Sequence, residues 1–324
     1  KENIYHILRK NNYIVYKSFK NFNNELGLQF SIMNMNIESD FSIFELGINS
    51  PNEMKSLVNL SNPNYCLVTG IENSHIGNFR NFNNLVNNKI QIFNSKKIIG
   101  GLINFAYQKP NLLNRFSSNI KILNIENIKT SVIKDKEYFI NFYYKNKKHL
   151  IISESDGVYE ETAIISYIFL KSFIKKFNSN KFFYKKAIIE SRGNVLNKRF
   201  NGNKIKIFDH SYNSSPYSLK KQLYFFNKRK LLKKLCIIGS MKELGINSNR
   251  YHIEILNSMS SFNFDKSIFI GDEFYQFKVK YKKYNFHKNY KEYIKVMNKD
   301  FKIFKNIFIM GSRSNKLERI IDIK

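Results

Sequence analysis

The chain has 324 residues, of which 43% are hydrophobic and 24% are charged, so its composition excludes a disordered protein. It contains no run of about 18 apolar residues, which excludes a helix that spans a membrane. The formal net charge of +29 suggests a polyanionic partner. The abundant residues Lys, Asn, Ile and Phe have AT-rich codons, however, so a biased genome also explains the charge.

The two cysteines, Cys66 and Cys236, lie far apart and show no metal-ligand spacing, so we expect both to be buried thiols. This use of cysteine favours a reducing cytoplasm. No signal peptide is evident, and because Lys1 is not a natural start residue, we expect further sequence before it.

Apolar runs typical of buried strands alternate with longer segments of helical spacing. Strands are predicted at 41–48, 66–69, 97–104, 205–208, 234–239, 267–270 and 306–310. Helices are predicted at 51–60, 85–93, 160–174, 218–226 and 248–259. This alternation is typical of parallel sheets in the α/β class. The segment 138–152 instead indicates a hairpin, because a polar turn at 145–148 interrupts its aromatic alternation.

The polar stretch KFNSNKF at 176–182 is predicted to be a linker. After it the alternation of strands and helices starts again, as expected for a length that favours about two domains. We therefore divide the chain near residue 187 into domains at 1–187 and 188–324. Each is predicted to be a largely parallel sheet flanked by helices.

Three residues of the first half stand where α/β proteins bind ligands. Glu45 follows an apolar strand and His75 lies in the loop after the next one, and ligands gather outside the carboxyl ends of such strands. A carboxylate there can bind a hard cation such as Mg²⁺. Lys89 lies in an apolar helical stripe, where a buried ammonium is costly. A helix cap, a surface histidine and a snorkelling lysine are the simpler alternatives.

In the second half, polar residues cluster where an apolar strand ends. The string FDHSYNSSP at 208–216 places Asp209, Tyr212 and Asn213 at the end of the predicted strand. Arg192 lies upstream of that strand beside a glycine, and arginine suits bidentate contact with phosphate. A phosphate-binding loop of the type G-x-x-x-x-G-K-[ST] is absent from the 324 residues.

Six strings along the chain resemble, in order, motifs of the Mur ligases of peptidoglycan synthesis. They are KNFNNELGLQF (family G-N-x-N-N-x-x-G-x-P), ELGINSPNE (E-L-G-x-N-x-x-G-E), SHIGNF with NKIQIF (A-H-L-x-x-F and K-G-E-I-F), FDHSYNSSPYSLKKQL (D-D-S-Y-N-A-N-P-x-S-M), IIGSMKELG (V-x-G-D-M-x-E-L-G) and MGSRSNKLERII (K-G-S-R-S-x-x-M-E). A single match of this kind would carry little weight. Six matches in the family's order are a specific signal.

The resemblance implies a central ATPase domain at 1–187 and a Rossmann-like C-terminal ligase domain at 188–324. It implies that ATP phosphorylates the terminal carboxylate of UDP-MurNAc-tripeptide and that the amine of D-Ala-D-Ala attacks the acyl phosphate. It also implies a cytoplasmic monomer that uses ATP and Mg²⁺ and binds no specific nucleic acid. A neighbour that adds another amino acid or uses a folate-like substrate is an alternative, although SYNSSP favours the D-Ala-D-Ala enzyme.

The resemblance also implies roles for single residues. Glu45, His75 and a carbamylated Lys89 would bind magnesium, and His75 and Lys89 would be catalytic. Nucleotide contacts are implied for Arg192, Asp209, Tyr212, Asn213 and Thr162. Substrate contacts are implied for Asn21, Asn23, Asn24, Ser312 and Arg313.

Several positions depart from the family's motifs. His210 and Ser240 stand where the family has aspartate, Met310 where it has lysine, and Gln29 where it has proline. If Ala163 is the alanine of the family's nucleotide-contacting string G-x-H-N-x-x-N-A, Thr162 stands where that string has its last asparagine. A folded relative that has lost its activity is therefore one alternative. A basic nucleic-acid-binding α/β protein is another, although its scattered lysines would bind only weakly.

The first residues, KENIYHIL, resemble those that directly follow the family's G-K-T-[ST] loop. We therefore expect this loop, whose backbone N–H groups and lysine hold the phosphates of ATP, a few residues before Lys1. Without the loop, the 324-residue chain is expected to lack ligase activity.

Overall fold

The computed structural model describes residues 1–73, 75–105, 116, 118–134, 138–153, 160–179, 182–184 and 191–322. Residue contacts divide the chain into two units. The first consists of Lys1–Ile71 and Asn78–Ala187, and the second of Glu72–Gly77 and Ile188–Lys324. The segment Glu72–Gly77, called the strap below, therefore lies in the first half of the sequence but packs with the second unit.

The first unit is built on three sheets within its described residues. Its strands are β1 (Val15–Lys17), β2 (Phe41–Ile43), β3 (Tyr65–Val68), β4 (Gly100–Asn104), β5 (Ile120–Leu123), β6 (Thr130–Lys134), β7 (Tyr138–Tyr144), β8 (Lys147–Ser153) and β9 (Phe183–Tyr184). Its α-helices are α1 (Glu2–Lys10), α2 (Glu25–Met33), α3 (Glu53–Ser61), α4 (Phe82–Lys89) and α5 (Glu160–Phe173). β1 pairs with β2 in parallel, β3–β4–β5 form a parallel sheet, and β6–β7–β8–β9 form a mixed sheet.

The sheet β3–β4–β5 has an apolar core on each face. On β4, Leu102 packs in a cluster with the buried residues of α5, whereas the adjacent Ile103 packs with Leu57 of α3 and Leu85 of α4. Both faces of the strand are therefore buried, which explains its continuous apolar run. The middle of α5, at 163–170, is buried on all sides, so its apolar residues form no single stripe.

The second unit is built on one sheet of six strands in the order β10-β11-β15-β12-β13-β14. These strands are β10 (Asn194–Phe200), β11 (Asn203–His210), β12 (Lys234–Gly239), β13 (Lys266–Ile270), β14 (Asn285–His287) and β15 (Asn306–Met310). The helices are α6 (Pro216–Lys228), α7 (Ser248–Ser258), α8 (Asp272–Tyr275), α9 (Tyr290–Ile294), α10 (Met297–Ile303) and α11 (Glu318–Ile321). All neighbouring strands are parallel except β10, which is antiparallel to β11.

Adjacent residues of the second sheet pack into separate cores on its two faces. On β12, Ile237 packs in a cluster with Tyr293 of α9 and Phe301 of α10. Its neighbour Cys236 packs with Leu223 of α6 and with side chains of α7. Parallel strands covered by helices on both faces are the defining feature of a doubly wound sheet. The predicted α/β fold class is therefore confirmed.

Two predicted strands are shorter than expected. The strand predicted at 41–48 is confirmed only in its first part, β2. Beyond it, the N–H of Gly47 donates to the carbonyl of Asn23 at 2.9 Å and so is not available to a neighbouring strand. The strand predicted at 97–104 begins only at Gly100.

The helix predicted at 85–93 begins earlier and ends earlier. Asn81 caps its first turn by accepting a hydrogen bond from the N–H of Asn84 at 2.9 Å, which places the helix start at Phe82. After Lys89 the chain continues as a 3-10 helix, Ile90–Asn94.

The stretch at 176–182 was predicted to be a linker, and this prediction is wrong. Phe182 is buried in the same core as α5, and Phe177 packs against that core. The two aromatic side chains hold the segment on the first unit. The predicted hairpin is confirmed as β7 and β8, joined by Lys145 and Asn146 with positive φ angles of 50° and 60°.

Cys66 and Cys236 are free and buried, as predicted. Burial raises the pKa of the Cys66 thiol to about 12 and also raises that of Cys236, so neither forms a reactive thiolate at neutral pH. Within the described ranges, no helix combines the length and the apolar character needed to cross a membrane.

Candidate functional site

Glu45 follows β2 in the first unit and is half-buried near the start of α1. The side chain of Lys1 donates to the carbonyl of Ser18, just after β1, at 2.9 Å. Because β1 and β2 are parallel, their carboxyl ends share one edge, where Lys1 contacts the residue that follows β1 and Glu45 follows β2.

The three asparagines predicted to contact substrate lie between β1 and α2. Asn24 caps α2, because its side-chain oxygen accepts from the N–H of Gly27 at 2.9 Å. Asn23 lies against Gly47, where an added Cβ would come within 2.7 Å of the asparagine side-chain nitrogen. Asn21 is exposed. The structure gives two of these residues local roles, and their substrate contacts stay predictions.

Lys89 is the last residue of α4 and is half-buried. The preceding residue, Asn88, is buried, and its side-chain oxygen accepts from the N–H of Asn52 at 2.8 Å. Asn52 lies in the loop that begins at the end of β2 and carries Glu45. The loop with Glu45 and the helix with Lys89 are therefore joined by a direct hydrogen bond.

His75 lies in the strap, which hydrogen bonds to helices of the second unit. The carboxylate of Glu72 accepts from the hydroxyl of Ser215 at 2.7 Å, at the start of α6. The side chain of Asn73 donates to the hydroxyl of Tyr251, on α7, at 2.8 Å. These two bonds hold the strap residues that precede His75.

The Nδ1 atom of His75 contacts the carboxylate of Glu243. Two residues later, the N–H of Gly77 donates to the carbonyl of Glu243 at 2.9 Å. A Cβ added at Gly77 would lie 2.7 Å from the backbone nitrogen of Gly245, so the two backbones need glycine to approach this closely. Glu243 was not predicted as a site residue. A carboxylate within the quoted string IIGSMKELG was the signal that could have identified it.

At the carboxyl end of β11, the string FDHSYNSSP folds back on itself. The carboxylate of Asp209 is buried and accepts from the N–H and the hydroxyl of Ser211, at 2.9 and 2.7 Å. Ser215 forms a capping box with Ser218 at the start of α6. Asn213 is exposed between these two structures. Part of the polar string therefore closes the turn and begins the next helix.

Arg192 is exposed and stacks on Tyr212, with its guanidinium carbon 4.0 Å from the ring centroid. The N–H of Gly193 donates to the carbonyl of Asp209 at 2.6 Å, and the N–H of Tyr212 donates to the carbonyl of Ser191 at 3.1 Å. Three residues predicted to bind nucleotide thus lie together at this strand end. The planar guanidinium of arginine suits bidentate contact with phosphate.

Ser312, predicted to contact substrate, is buried after β15, and its hydroxyl accepts from the N–H of Lys242 at 2.9 Å. Arg313 follows and is exposed. Ser240, where the family has aspartate, is fully buried after β12, and its carbonyl accepts from the N–H of Ser312 at 3.3 Å. The carboxyl edge of the second sheet therefore gathers residues from β11, β12 and β15, as a doubly wound sheet does at a ligand site.

Thr162 is half-buried in the first turn of α5. Residues 154–159, which hold most of the string SDGVYEETA, lie outside the described residues. Across the parts of the chain that the structure covers, no group of three or more His, Cys, Asp or Glu could hold a metal ion. Glu45 and Lys89 belong to the first unit and His75 to the second.

Parallel sheets with polar residues at their carboxyl edges define a ligand-binding α/β protein. The sequence signature of the Mur ligase middle domain matches residues 1–180. The chain belongs to the Mur ligase family, as its motifs predicted.

Two curated relatives named UDP-N-acetylmuramoyl-tripeptide–D-alanyl-D-alanine ligase match almost the whole chain. One, from Rickettsia prowazekii, is 30% identical over 355 residues, which cover 98% of this chain and 73% of the relative. Another, from Borreliella burgdorferi, is 26% identical over 343 residues, which cover 100% of this chain and 71% of the relative. The similarity therefore includes both units.

Two solved structures of MurF share the fold. The one from Acinetobacter baumannii has a TM-score of 0.82 at 16% identity and covers 99% of this chain and 72% of its own. The MurF ligase from Thermotoga maritima, in complex with ADP, has a TM-score of 0.79 at 18% identity and covers 99% and 75%. Together with the relatives, they support the ligase interpretation and neither the decayed-relative nor the nucleic-acid-binding alternative.

Proposed function

We propose that the protein expressed from the complete gene catalyses the ATP-dependent joining of D-alanyl-D-alanine to UDP-N-acetylmuramoyl-tripeptide, a step of peptidoglycan synthesis. The observation that carries this proposal is the similarity to ligases of that name over 98% and 100% of the chain. If the protein had the activity of another group in the family, one or both units would be expected to match members of that group instead. The cytoplasmic location and the monomeric state predicted from the sequence belong to the same proposal.

The reaction has two steps. The tripeptide carboxylate attacks the γ-phosphorus of ATP, which forms an acyl phosphate and releases ADP. The amine of D-alanyl-D-alanine then attacks the acyl carbon, loses a proton, and expels inorganic phosphate as the amide forms. Both steps develop negative charge on phosphate oxygens, so the protein must place cations and N–H donors there in advance.

Arg192 and Tyr212 are proposed to bind the nucleotide, with Asp209 and Asn213 beside them. The guanidinium over the Tyr212 ring is of the type that binds a phosphate or a hydroxyl-rich sugar through two N–H groups. Buried Asp209 keeps the turn closed through Ser211, and so fixes the position of the residues that follow. The complex of the Thermotoga maritima ligase with ADP agrees with a nucleotide site in this fold.

Magnesium is proposed to be held by Glu45, His75 and a carbamylated Lys89. The donor chemistry fits in part: Glu45 offers carboxylate oxygens at a strand end, and the pairing of His75 Nδ1 with Glu243 leaves Nε2 for a ligand. When bound, the metal would neutralise charge on the phosphates. Lys89 fits only after carbamylation, which replaces its ammonium by a carboxylate-like group.

Substrate contacts are proposed for Ser312 and Arg313, and for Asn21, Asn23 and Asn24. Arg313 is an exposed cation at the carboxyl edge of the second sheet and suits a carboxylate of the incoming dipeptide. Thr162 is proposed to face the nucleotide from the start of α5.

The proposal is tested by phosphate release from the protein expressed from its complete gene. We expect release to require ATP, UDP-MurNAc-tripeptide and D-alanyl-D-alanine together. Release that persists when D-alanyl-D-alanine is replaced by another amino acid or omitted would contradict the assignment.

Arg192→Lys tests the nucleotide site directly. Lysine keeps the charge but loses the planar stacked fork, so we expect ATP affinity to fall about tenfold. Arg250→Lys is the matched control, because Arg250 is exposed and pairs with Glu254 on α7. Equal affinities of the two variants would refute the proposed contact.

A further inference from the structure

A basic cavity lies at the β10–β11 hairpin of the second unit, away from the carboxyl ends of the parallel strands. Its volume is about 510 Å³. Five of its lining residues are cations and none is acidic: Lys198, Arg199, Lys204, Lys206 and Lys305. The cavity takes no part in the ligase site proposed above.

Three of the cations that line this cavity lie on one face of the paired strands, whereas Lys198, which pairs with Ile205, lies on the other face. Arg199 lies directly opposite Lys204 in the antiparallel register, and Lys206 lies two residues further along the same face. Like charges in directly opposed positions destabilise a sheet. All three side chains are exposed, and none forms an ion pair with a carboxylate in the described part of the chain.

The other two cations are held in place by oxygen acceptors. The ammonium of Lys198 donates to the carbonyl of Ile321 at 2.6 Å, and that of Lys305 donates to the side chain of Asn203 at 3.4 Å. Neither partner carries a negative charge, so the positive charge of the cavity is not cancelled. Elsewhere in the same unit, lysines are neutralised by carboxylates, as Lys266 is by Asp300 at 2.6 Å.

A genome rich in lysine codons explains the number of lysines but not their convergence on one cavity. The arrangement costs folding free energy through repulsion, and a bound anion would remove that cost. The cavity has the size of a small-molecule site, roughly 300–1,000 Å³. One phosphate group, with about two negative charges, would not neutralise the three cations Arg199, Lys204 and Lys206 that share a face.

We propose that this cavity binds a compact ligand that carries two or more phosphate groups. Arg199 supplies a bidentate contact to one phosphate, and Lys204 and Lys206 supply point charges to its neighbour. Ile205 is the apolar lining residue and offers no aromatic platform for a base, so recognition is of the diphosphate itself. The diphosphate group is shared by inorganic pyrophosphate and by nucleotides.

Calorimetric titration with inorganic pyrophosphate, without magnesium and at physiological salt, tests the proposal. The variant Arg199→Gln/Lys204→Gln/Lys206→Gln should bind pyrophosphate at least about tenfold more weakly than the wild type. The matched control is Lys280→Gln/Lys282→Gln/Lys283→Gln, which removes three exposed cations from another part of the same unit. The control should change the affinity less than about twofold.

If both variants lose the same pyrophosphate affinity, binding depends on overall charge and the proposal is overturned. If the cavity variant keeps its affinity, the cavity is not the binding site and the proposal is likewise overturned. ADP is titrated in parallel: a larger loss for ADP than for pyrophosphate identifies a nucleotide source, and the reverse identifies the inorganic anion. A loss of binding that appears with a single-stranded oligonucleotide but not with pyrophosphate would instead establish a nucleic-acid surface and overturn the small-ligand proposal.

Thermal unfolding gives an independent readout. Without ligand, the cavity variant should melt at a higher temperature than the wild type, because the repulsion is gone. Pyrophosphate should raise the melting temperature of the wild type but not that of the variant. A cavity variant that melts below the wild type would show that the cations are already neutralised within the protein, which overturns the proposal.

Discussion

At the scale of the residue, His75 shows how one carboxylate can decide which ring nitrogen is available. Glu243 occupies the Nδ1 side of the imidazole, and Gly77 places the strap against the same residue through a backbone hydrogen bond. A histidine that donates one N–H to a carboxylate presents its other nitrogen as the neutral, more basic ligand. We therefore propose that Glu243 positions His75 for the metal contact proposed above.

Glu243→Gln should weaken the binding of Mn²⁺, used as a spectroscopic substitute for Mg²⁺, by about 10–100-fold. The amide removes the negative charge that orients the imidazole but keeps the side-chain size. The measurement is the dissociation constant from electron paramagnetic resonance. Glu254→Gln on α7, whose carboxylate pairs with Lys220 and Arg250, is the control and should leave the constant unchanged. If both variants bind Mn²⁺ like the wild type, Glu243 does not position a metal ligand.

At the scale of the element, the strap depends on the contact of two glycines. Gly245 has a φ of 59°, and a Cβ on it would lie 2.8 Å from Cα of Gly77. Gly202, in the turn between β10 and β11, has a φ of 79° but open space around its Cβ position. Substituting alanine at Gly202 and at Gly245 therefore compares the cost of a left-handed backbone alone with that cost plus a steric clash.

Gly202→Ala should therefore lower the free energy of unfolding by about 1 kcal/mol, since the alanine must adopt a left-handed backbone conformation. Gly245→Ala requires the same conformation and also creates a clash with the strap, so we expect the free energy of unfolding to fall by about 3 kcal/mol. Urea unfolding followed by circular dichroism gives both values. Similar losses for the two variants would mean that the strap does not resist displacement.

The junction between α7 and the loop after β12 rests on a buried histidine. His252 accepts from the N–H of Met241 at 3.0 Å through Nε2, and its Nδ1 contacts the carbonyl of Ser248 at 2.7 Å, where it donates in the neutral ring. Burial lowers the pKa of His252 from its ordinary value of 6.5. Protonation would remove the Nε2 acceptor, so the folded protein binds this proton less readily than the unfolded chain.

Stability should therefore be complete above pH 6.5 and fall as the pH drops below that value. Each such histidine contributes a slope of at most about 1.4 kcal/mol per pH unit, because the unfolded chain alone takes up the proton. Burial also lowers the pKa values of His149 and His287, which add to the slope. Urea unfolding at several pH values measures it. His252→Gln should make the slope shallower, and an unchanged slope would contradict this account.

At the scale of the whole molecule, the net charge of +29 sets a repulsive background. Raising the salt concentration from about 0.05 M to 0.5 M shortens the screening length to a few ångströms. We expect stability to rise by about 1 kcal/mol, which corresponds to an increase of about 2–4 °C in the melting temperature. The control measures the melting temperature over the same concentration series of an uncharged osmolyte, which changes the solvent without screening charges. A lower melting temperature in salt would mean that ion pairs outweigh repulsion.

The alternation of strands and helices and the family motifs could be predicted from the sequence, because both depend on short spacings. Burial of both faces made the strands β4 and β12 continuous runs of buried residues, which a local pattern reveals. Boundaries were less predictable where backbone groups found distant partners, as at Gly47 with Asn23. The prediction of a linker at 176–182 was wrong. It rested on the polar composition of the segment, whereas Phe177 and Phe182 pack on the core of the first unit.

The sequence by itself determined the family, the α/β class and the residues that could carry chemistry at strand ends. Only the tertiary structure decided that β15 lies between β11 and β12, and that β10 is antiparallel at the sheet edge. It also decided the pairing of His75 with Glu243 and the meeting of Arg199 with Lys204. Periodicity is a local property, whereas strand order and side-chain pairs depend on which distant surfaces must be buried together.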